Sequence, residues 1–194
     1  MPALPPLFGI ATVLFGTVVA LGLRYSARAG RPENAIAVSE VVAAVGPGVP
    51  LLIGQPFDLS LTVAAFRVRD EAGAEVAEIA SHTRRTACHS FAARGVTYHV
   101  DSLLTWSQTL VLHRAGEDRE LARMALRRLC RTVSFADGIV LRVVPRWSRP
   151  GHLRVLDAEG RETGRIGSVG TGSTRVLSGV GDRPLHERLF LMCL

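Results

Sequence analysis

Hydrophobic residues are arranged in two ways along this chain, first as one long uncharged run and then as short stretches that alternate with polar positions. The uncharged run covers residues 7–23, near the lower length limit for a helix that crosses about 30 Å of hydrocarbon. It predicts a membrane anchor over residues 1–28, followed by a breaker-rich linker over residues 29–34. Ala27-Arg28-Ala29 has the form of a cleavage site, so a cleaved signal peptide is one alternative and a buried apolar helix is another.

Two kinds of residue in and after the anchor predict how it would sit in a membrane. Gly9 and Gly16 lie near one face of the predicted helix, and small residues of this kind let a second helix approach closely. Arg24, Arg28 and Arg31 follow the apolar run, whereas no basic residue precedes it. The positive-inside rule places the arginine side in the cytoplasm or its organellar equivalent. Because one apolar run of this length occurs, a single-pass membrane protein is expected.

The rest of the chain predicts a mostly β (α+β) single domain with two helices, behind this one transmembrane helix. The domain is expected over residues 35–166, with a short first helix over residues 36–45. A second helix is predicted over residues 117–131, where acidic side chains occupy the first turn and arginines the last, as the helix dipole prefers. Its apolar residues recur at helical spacing, namely Leu121, Met124, Ala125 and Leu129.

Strands are predicted where alternating apolar residues are bounded by turn residues. A turn over residues 70–73 joins two strands, and an Asp137-Gly138 turn makes a hairpin of residues 133–144. A further hairpin covers residues 152–166, with its turn over residues 157–160. The strands that the 70–73 turn joins are expected over residues 57–68 and 75–79, and the remaining strands over residues 49–53, 95–100 and 103–112. Residues 167–194 have the composition of a Gly-rich loop and a C-terminal tail.

The charge of the chain argues against nucleic acid as a partner. All 23 basic residues are arginine, and with 17 Asp and Glu they give a formal net charge of +6. A basic protein can bind nucleic acid through a positive patch. Here acidic residues interrupt the arginines throughout, and no long run of like charges occurs. No nucleic-acid partner is therefore expected.

The sequence contains no motif for catalysis, metal binding or a cofactor. Cys88, Cys130 and Cys193 form no CxxC pair, and whether Cys88 and Cys130 are bridged or free is left open by their spacing. The six histidines form neither HxxxH nor HExxH. The Gly-rich segment over residues 164–174 lacks the lysine and the residue order of a phosphate loop. The prediction is a protein without catalytic, cofactor-binding or metal-binding residues.

Several short motifs together resemble one known family. They are the VPLLIG stretch of residues 49–54, the RGV stretch of residues 94–96 with the Thr-Trp pair of residues 105–106, and the hairpin RTVSFADGIVLRVV of residues 131–144. Their order is similar to that in the GIDE (BAM) domain of the mitochondrial outer-membrane ubiquitin ligases MULAN and MAPL and of related membrane proteins. The resemblance covers roughly residues 7–150.

The resemblance implies binding and not catalysis. The ligases carry a second membrane helix and a RING with paired cysteines and histidines, which this sequence does not show, so ubiquitin transfer is not implied. We expect a membrane-anchored modulator without catalytic activity that binds other membrane or signalling proteins, acting on host or cellular signalling. The alternatives are an accessory or assembly subunit of a membrane complex, held through Gly9 and Gly16, and an enzyme with a dispersed site.

Overall fold

A closed β-barrel forms the part of the chain that the computed structural model describes, which comprises residues 48–59, 63–82, 87–104, 108–127, 130–146, 152–169 and 174–194. Its strands are β1 Leu51–Leu59, β2 Val63–Asp70, β3 Glu75–His82, β4 Ala87–Ala93, β5 Val96–Leu104, β6 Gln108–Arg114, β7 Glu120–Arg127, β8 Cys130–Phe135, β9 Val140–Pro145, β10 Leu153–Leu156, β11 Glu162–Val169 and β12 Thr174–Gly179. The helix α1, Leu185–Met192, follows β12.

Each strand pairs antiparallel with its neighbours in sequence, and β1 pairs with β12 to close the barrel. In the closing pair Leu52 lies opposite Leu177, and Ile53 lies opposite Val176. Such an up-and-down barrel leaves no unpaired strand edge.

The alternation of side chains along each strand separates an apolar interior from a charged exterior. On the outside, Arg67 lies opposite Glu78, and Arg154 Nε contacts Glu162 Oε2 at 2.6 Å. Every strand contributes a buried apolar residue to the core: Leu52, Val68, Ile79, Phe91, Val100, Leu112, Met124, Val133, Val143, Val155, Ile166 and Leu177.

The helix α1 occupies the interior of the barrel. Leu189, Phe190 and Leu191 are each 0 % exposed and Met192 is 2 % exposed, and four consecutive residues cover about 300° of a helix circumference. A helix that is buried on all sides in this way must be surrounded by protein. Its neighbours come from well-separated strands, since His186 stacks on Tyr98 of β5 and Arg175 Nη1 of β12 donates to the Met192 carbonyl at 2.9 Å.

A tight turn after β12 directs the chain back into the barrel. Gly179 has φ +81°, and a Cβ at this position would lie 2.3 Å from the Thr163 carbonyl oxygen, so only glycine fits. Val180 follows with φ +48°, which is unfavourable for a β-branched residue. Burial of its side chain and a hydrogen bond from its N–H to the Thr163 carbonyl at 3.0 Å hold it there.

The fold class predicted from the sequence is wrong. The described chain is a closed twelve-stranded antiparallel barrel with one short helix, and not an α+β domain with two helices. The predicted helix over residues 117–131 is replaced by β7 and the start of β8. Ala122 and Met124 are buried two positions apart, and Met124 lies opposite Leu110 on one side and Val133 on the other, so strand pairing overrides the helical spacing.

The predicted anchor over residues 1–28, the linker and the helix over residues 36–45 lie outside the described residues, as do Gly9, Gly16, Arg24, Arg28 and Arg31. Within the described ranges no helix has the length and hydropathy needed to cross a bilayer, so a single-pass helical anchor finds no counterpart in this part of the chain.

The predicted hairpins are confirmed. Strands β2 and β3 are joined through residues 71–74, β8 and β9 through residues 136–139, and β10 and β11 through residues 157–161. The sequence-based tail over residues 167–194 contains β12 and α1 and thus completes the barrel.

Removing the largest side chain of the helix tests whether α1 supports the barrel. Phe190→Ala should lower the free energy of unfolding by about 3–5 kcal/mol, because a buried aromatic ring is replaced by a cavity. Ser134→Ala, on the exposed face of β8, is the control and should change it by less than about 0.5 kcal/mol. Denaturant unfolding measures both, and equal small effects would contradict a filled interior.

Candidate functional site

A cavity of about 590 Å³ lies at the end of the barrel where β12 leads into α1. We call it the entry cavity. Its walls come from β1, the β2–β3 and β4–β5 turns, β5 and the segment from residue 181 to 188. Its titratable side chains are Asp70, Glu71, Arg94, Arg183, His186 and Arg188, together with Tyr98. Acidic and basic side chains therefore line the same cavity at this end of the barrel, which we call the barrel mouth.

Arg183 is fully engaged in fixing the helix to the barrel. Its side chain is 7 % exposed; Nη1 donates to Asp137 Oδ2 and Nε donates to Glu187 Oε2, each at 2.7 Å. The guanidinium also lies over the Phe135 ring, 4.5 Å from its centroid. Burial alone would lower the pKa of Arg183, but hydrogen bonds to Asp137 and Glu187 raise it overall. Arg183 is thus a permanently charged structural link.

Arg188 lies on α1, five residues after Arg183, and part of its guanidinium has no hydrogen-bond partner among the described residues. Its Nε and Nη2 atoms are buried and have no hydrogen-bond partner within the described part of the chain. Burial lowers the pKa of Arg188, and the charges of Glu71 and then Asp70 oppose that shift. A buried N–H without an acceptor costs roughly 1–3 kcal/mol, so an acceptor placed here by a ligand would be stabilising.

The two carboxylates near Arg188 are held by the backbone. Asp70 Oδ1 accepts hydrogen bonds from the N–H groups of Ala72 at 3.0 Å and Ala74 at 2.9 Å, which fixes the β2–β3 turn. Glu71 Oε2 accepts one from the Leu51 N–H at 3.3 Å. These bonds orient both side chains on the cavity wall, where they contribute negative charge without bonding Arg188.

His186 lines the same cavity within an aromatic stack. Its ring lies parallel to that of Tyr98, with centroids 5.0 Å apart, and Tyr98 stacks on Phe91 at 5.4 Å. Burial and, to a lesser extent, the charge of Arg183 lower the pKa of His186 below its ordinary 6.5. The imidazole is therefore neutral at pH 7.

A second cavity, of about 150 Å³, lies beyond the C-terminal end of α1. We call it the inner cavity. Phe66, Ile79 and Met192 make it mainly apolar, and Ser81, His89, Arg175 and Cys193 add polar groups. Because the inner cavity is smaller and more apolar than the entry cavity, it is less suited to binding a polar ligand.

The chemistry-bearing residues considered in the sequence are dispersed over this structure. Cys130 forms no disulfide, so no Cys88–Cys130 bridge is present. On the outer face, the rings of His99 and His113 are 5.8 Å apart, and His113 Nε2 lies 3.5 Å from Asp101 Oδ2. No group of three metal-ligating side chains is placed to hold a metal ion among the described residues.

Sequence reasoning missed the entry cavity altogether. Residues 70–71 were recognised only as a turn, and residues 183–188 were assigned to the C-terminal tail. The available signal was a pair of arginines, Arg183 and Arg188, directly before the uncharged apolar residues 189–194.

No protein-family model, no curated protein and no solved structure matches this chain. The resemblance to the GIDE domain therefore stays a hypothesis. Of the motifs behind it, residues 131–144 form the β8–β9 hairpin, residues 94–96 lie at the β4–β5 turn, and residues 105–106 fall outside the described residues.

The pKa of His186 predicts a pH dependence of stability. The unfolded chain binds a proton near pH 6.5 whereas the folded chain binds it only at lower pH, so the stabilising contribution is complete above 6.5 and is lost as pH falls through the folded pKa. His186→Phe keeps a ring against Tyr98 but cannot titrate. Unfolding free energies measured on both sides of pH 6.5 should fall more steeply on acidification for the wild type. Parallel curves would contradict this assignment.

Proposed function

We propose that this protein is a non-enzymatic binding domain whose ligand enters the barrel mouth and presents an anionic group to Arg188. One observation carries the proposal: Arg188 lines the entry cavity, and two of its guanidinium nitrogens, Nε and Nη2, are buried without a hydrogen-bond partner among the described groups. Arginine is well suited to this role because its planar donors match the oxygens of a carboxylate or a phosphate. Arg183 differs from Arg188, because its Nε and Nη1 donate to Glu187 and Asp137 and its Nη2 is in ion-pair contact with Glu187. Arg188 is therefore the residue to which we assign ligand binding.

The size of the cavity supports a small ligand. Its 590 Å³ lies within the range of about 300–1,000 Å³ found for small-molecule sites. Aliphatic side chains of Leu52, Val76, Val96 and Leu185 cover part of the wall and can exclude water from an ion pair. The sequence predicted that the protein binds other membrane or signalling proteins, whereas this proposal assigns it a small polar ligand.

Neutralising Arg188 tests the proposal. Acetate and inorganic phosphate serve as minimal anionic probes, and calorimetric titration measures their affinity for the wild type and for Arg188→Gln. Loss of charge-assisted hydrogen bonds worth about 1.5–3 kcal/mol should weaken binding roughly 10–100-fold. Arg188→Lys keeps the charge but not the two planar donors, and should retain only part of the affinity.

Arg119→Gln is the matched control, because it removes the same charge from an exposed position in the β6–β7 connection at the same end of the barrel. It should bind both probes as the wild type does. The proposal fails if the wild type binds neither probe saturably, or if Arg188→Gln and Arg119→Gln behave alike.

A further inference from the structure

The charges that face the entry cavity restrict which anion can bind. Arg183 is neutralised by Asp137 and Glu187, whereas Nε and Nη2 of Arg188 have no hydrogen-bond partner among the described residues, and Arg94 adds a further positive charge to the lining. Asp70 and Glu71 share the same wall, close enough to act on the charge of Arg188. A simple anion bound to Arg188 would be repelled by these two carboxylates, and like charges in a partly desolvated site are costly.

The carboxylates also have remaining acceptor capacity. Asp70 uses Oδ1 for the turn, and Glu71 uses Oε2 for the Leu51 N–H. An ionised carboxylate offers about four lone-pair sites on two oxygens, so each side chain can accept further hydrogen bonds from a ligand. A ligand group with several N–H donors and a positive charge would use this capacity and remove the repulsion.

The apolar part of the wall favours an aliphatic ligand body. Tyr98, the aromatic ring on this wall, is already stacked with Phe91 and His186. The apolar side chains that remain are aliphatic, namely Leu52, Val76, Ala93, Val96, Pro184 and Leu185. An aliphatic ligand group can pack against them.

We infer that the ligand of the entry cavity is a free aliphatic α-amino acid, with its carboxylate on Arg188 and its ammonium group facing Glu71 and Asp70. The inference rests on the proposed function and narrows it to one class of ligand. Because the two charged groups of an α-amino acid sit on one carbon, a single small molecule meets opposite charges on adjacent parts of the wall. Its side chain then packs on the aliphatic residues.

Three matched ligands separate the contributions of the two charges. Leucine carries both charges, 4-methylpentanoate lacks the ammonium group, and leucinamide lacks the carboxylate. In calorimetric titration of the full chain, leucine should bind at least about tenfold more tightly than 4-methylpentanoate, and leucinamide should show no saturable binding.

Conservative variants assign the ammonium site. Glu71→Gln and Asp70→Asn each remove a charge and keep an oxygen that can accept the backbone hydrogen bond. At least one of the two variants should lower the affinity for leucine by about tenfold. The same variant should leave the affinity for 4-methylpentanoate unchanged or increase it. Glu78→Gln, on the exterior of β3, is the control and should bind leucine normally.

The outcomes distinguish this inference from the proposal beneath it. If 4-methylpentanoate binds as tightly as leucine and Arg188→Gln abolishes both, the ligand is a simple anion and the amino acid assignment is overturned. It is also overturned if neither Glu71→Gln nor Asp70→Asn affects leucine. If the wild type binds none of the three ligands and neither acetate nor phosphate, the proposed function fails as well.

Discussion

The need to fill the interior of a twelve-stranded barrel governs this structure. Eight strands close a barrel that side chains alone can fill, and the interior widens as strands are added. Here one buried residue from each strand is not enough, and α1 supplies the rest through Leu189, Phe190 and Leu191. The helix follows the last strand, so the barrel can be completed only after β12 and the turn at Gly179 are in place.

The same constraint creates the candidate site. The helix enters the barrel from one end, and the turns around it do not pack against it on every side. The space that remains between them is the entry cavity. Arg183 just precedes α1 and Arg188 lies within it, and both line the entry cavity. They differ in their hydrogen-bond partners. Arg183 meets two carboxylates and the face of Phe135, whereas Nε and Nη2 of Arg188 are buried beside a cavity. The structural arginine and the proposed binding arginine thus lie five residues apart.

The sequence predicted the local features and missed those that depend on distant pairing. The turns at residues 70–73, 137–138 and 157–160 were found because Asp and Gly mark them directly. Residues 117–131 satisfy a helical period through Leu121 and Leu129 and a strand period through Ala122 and Met124. Only pairing with β6 and β8 decides between these periods. The site could not be predicted, since barrel closure brings Glu71 and Arg188 together from opposite ends of the described chain.

The most direct test of this account is NMR observation of the Arg188 Nε–H group during titration with acetate. Arg188→Gln assigns the resonance by removing it, and the Arg183 Nε–H, already bonded to Glu187, provides an internal reference. We predict a saturable downfield shift at Arg188 as its buried N–H acquires an acceptor, with the Arg183 signal unchanged. An Arg188 resonance that does not move, or that moves no more than that of Arg183, would contradict a binding site at the barrel mouth.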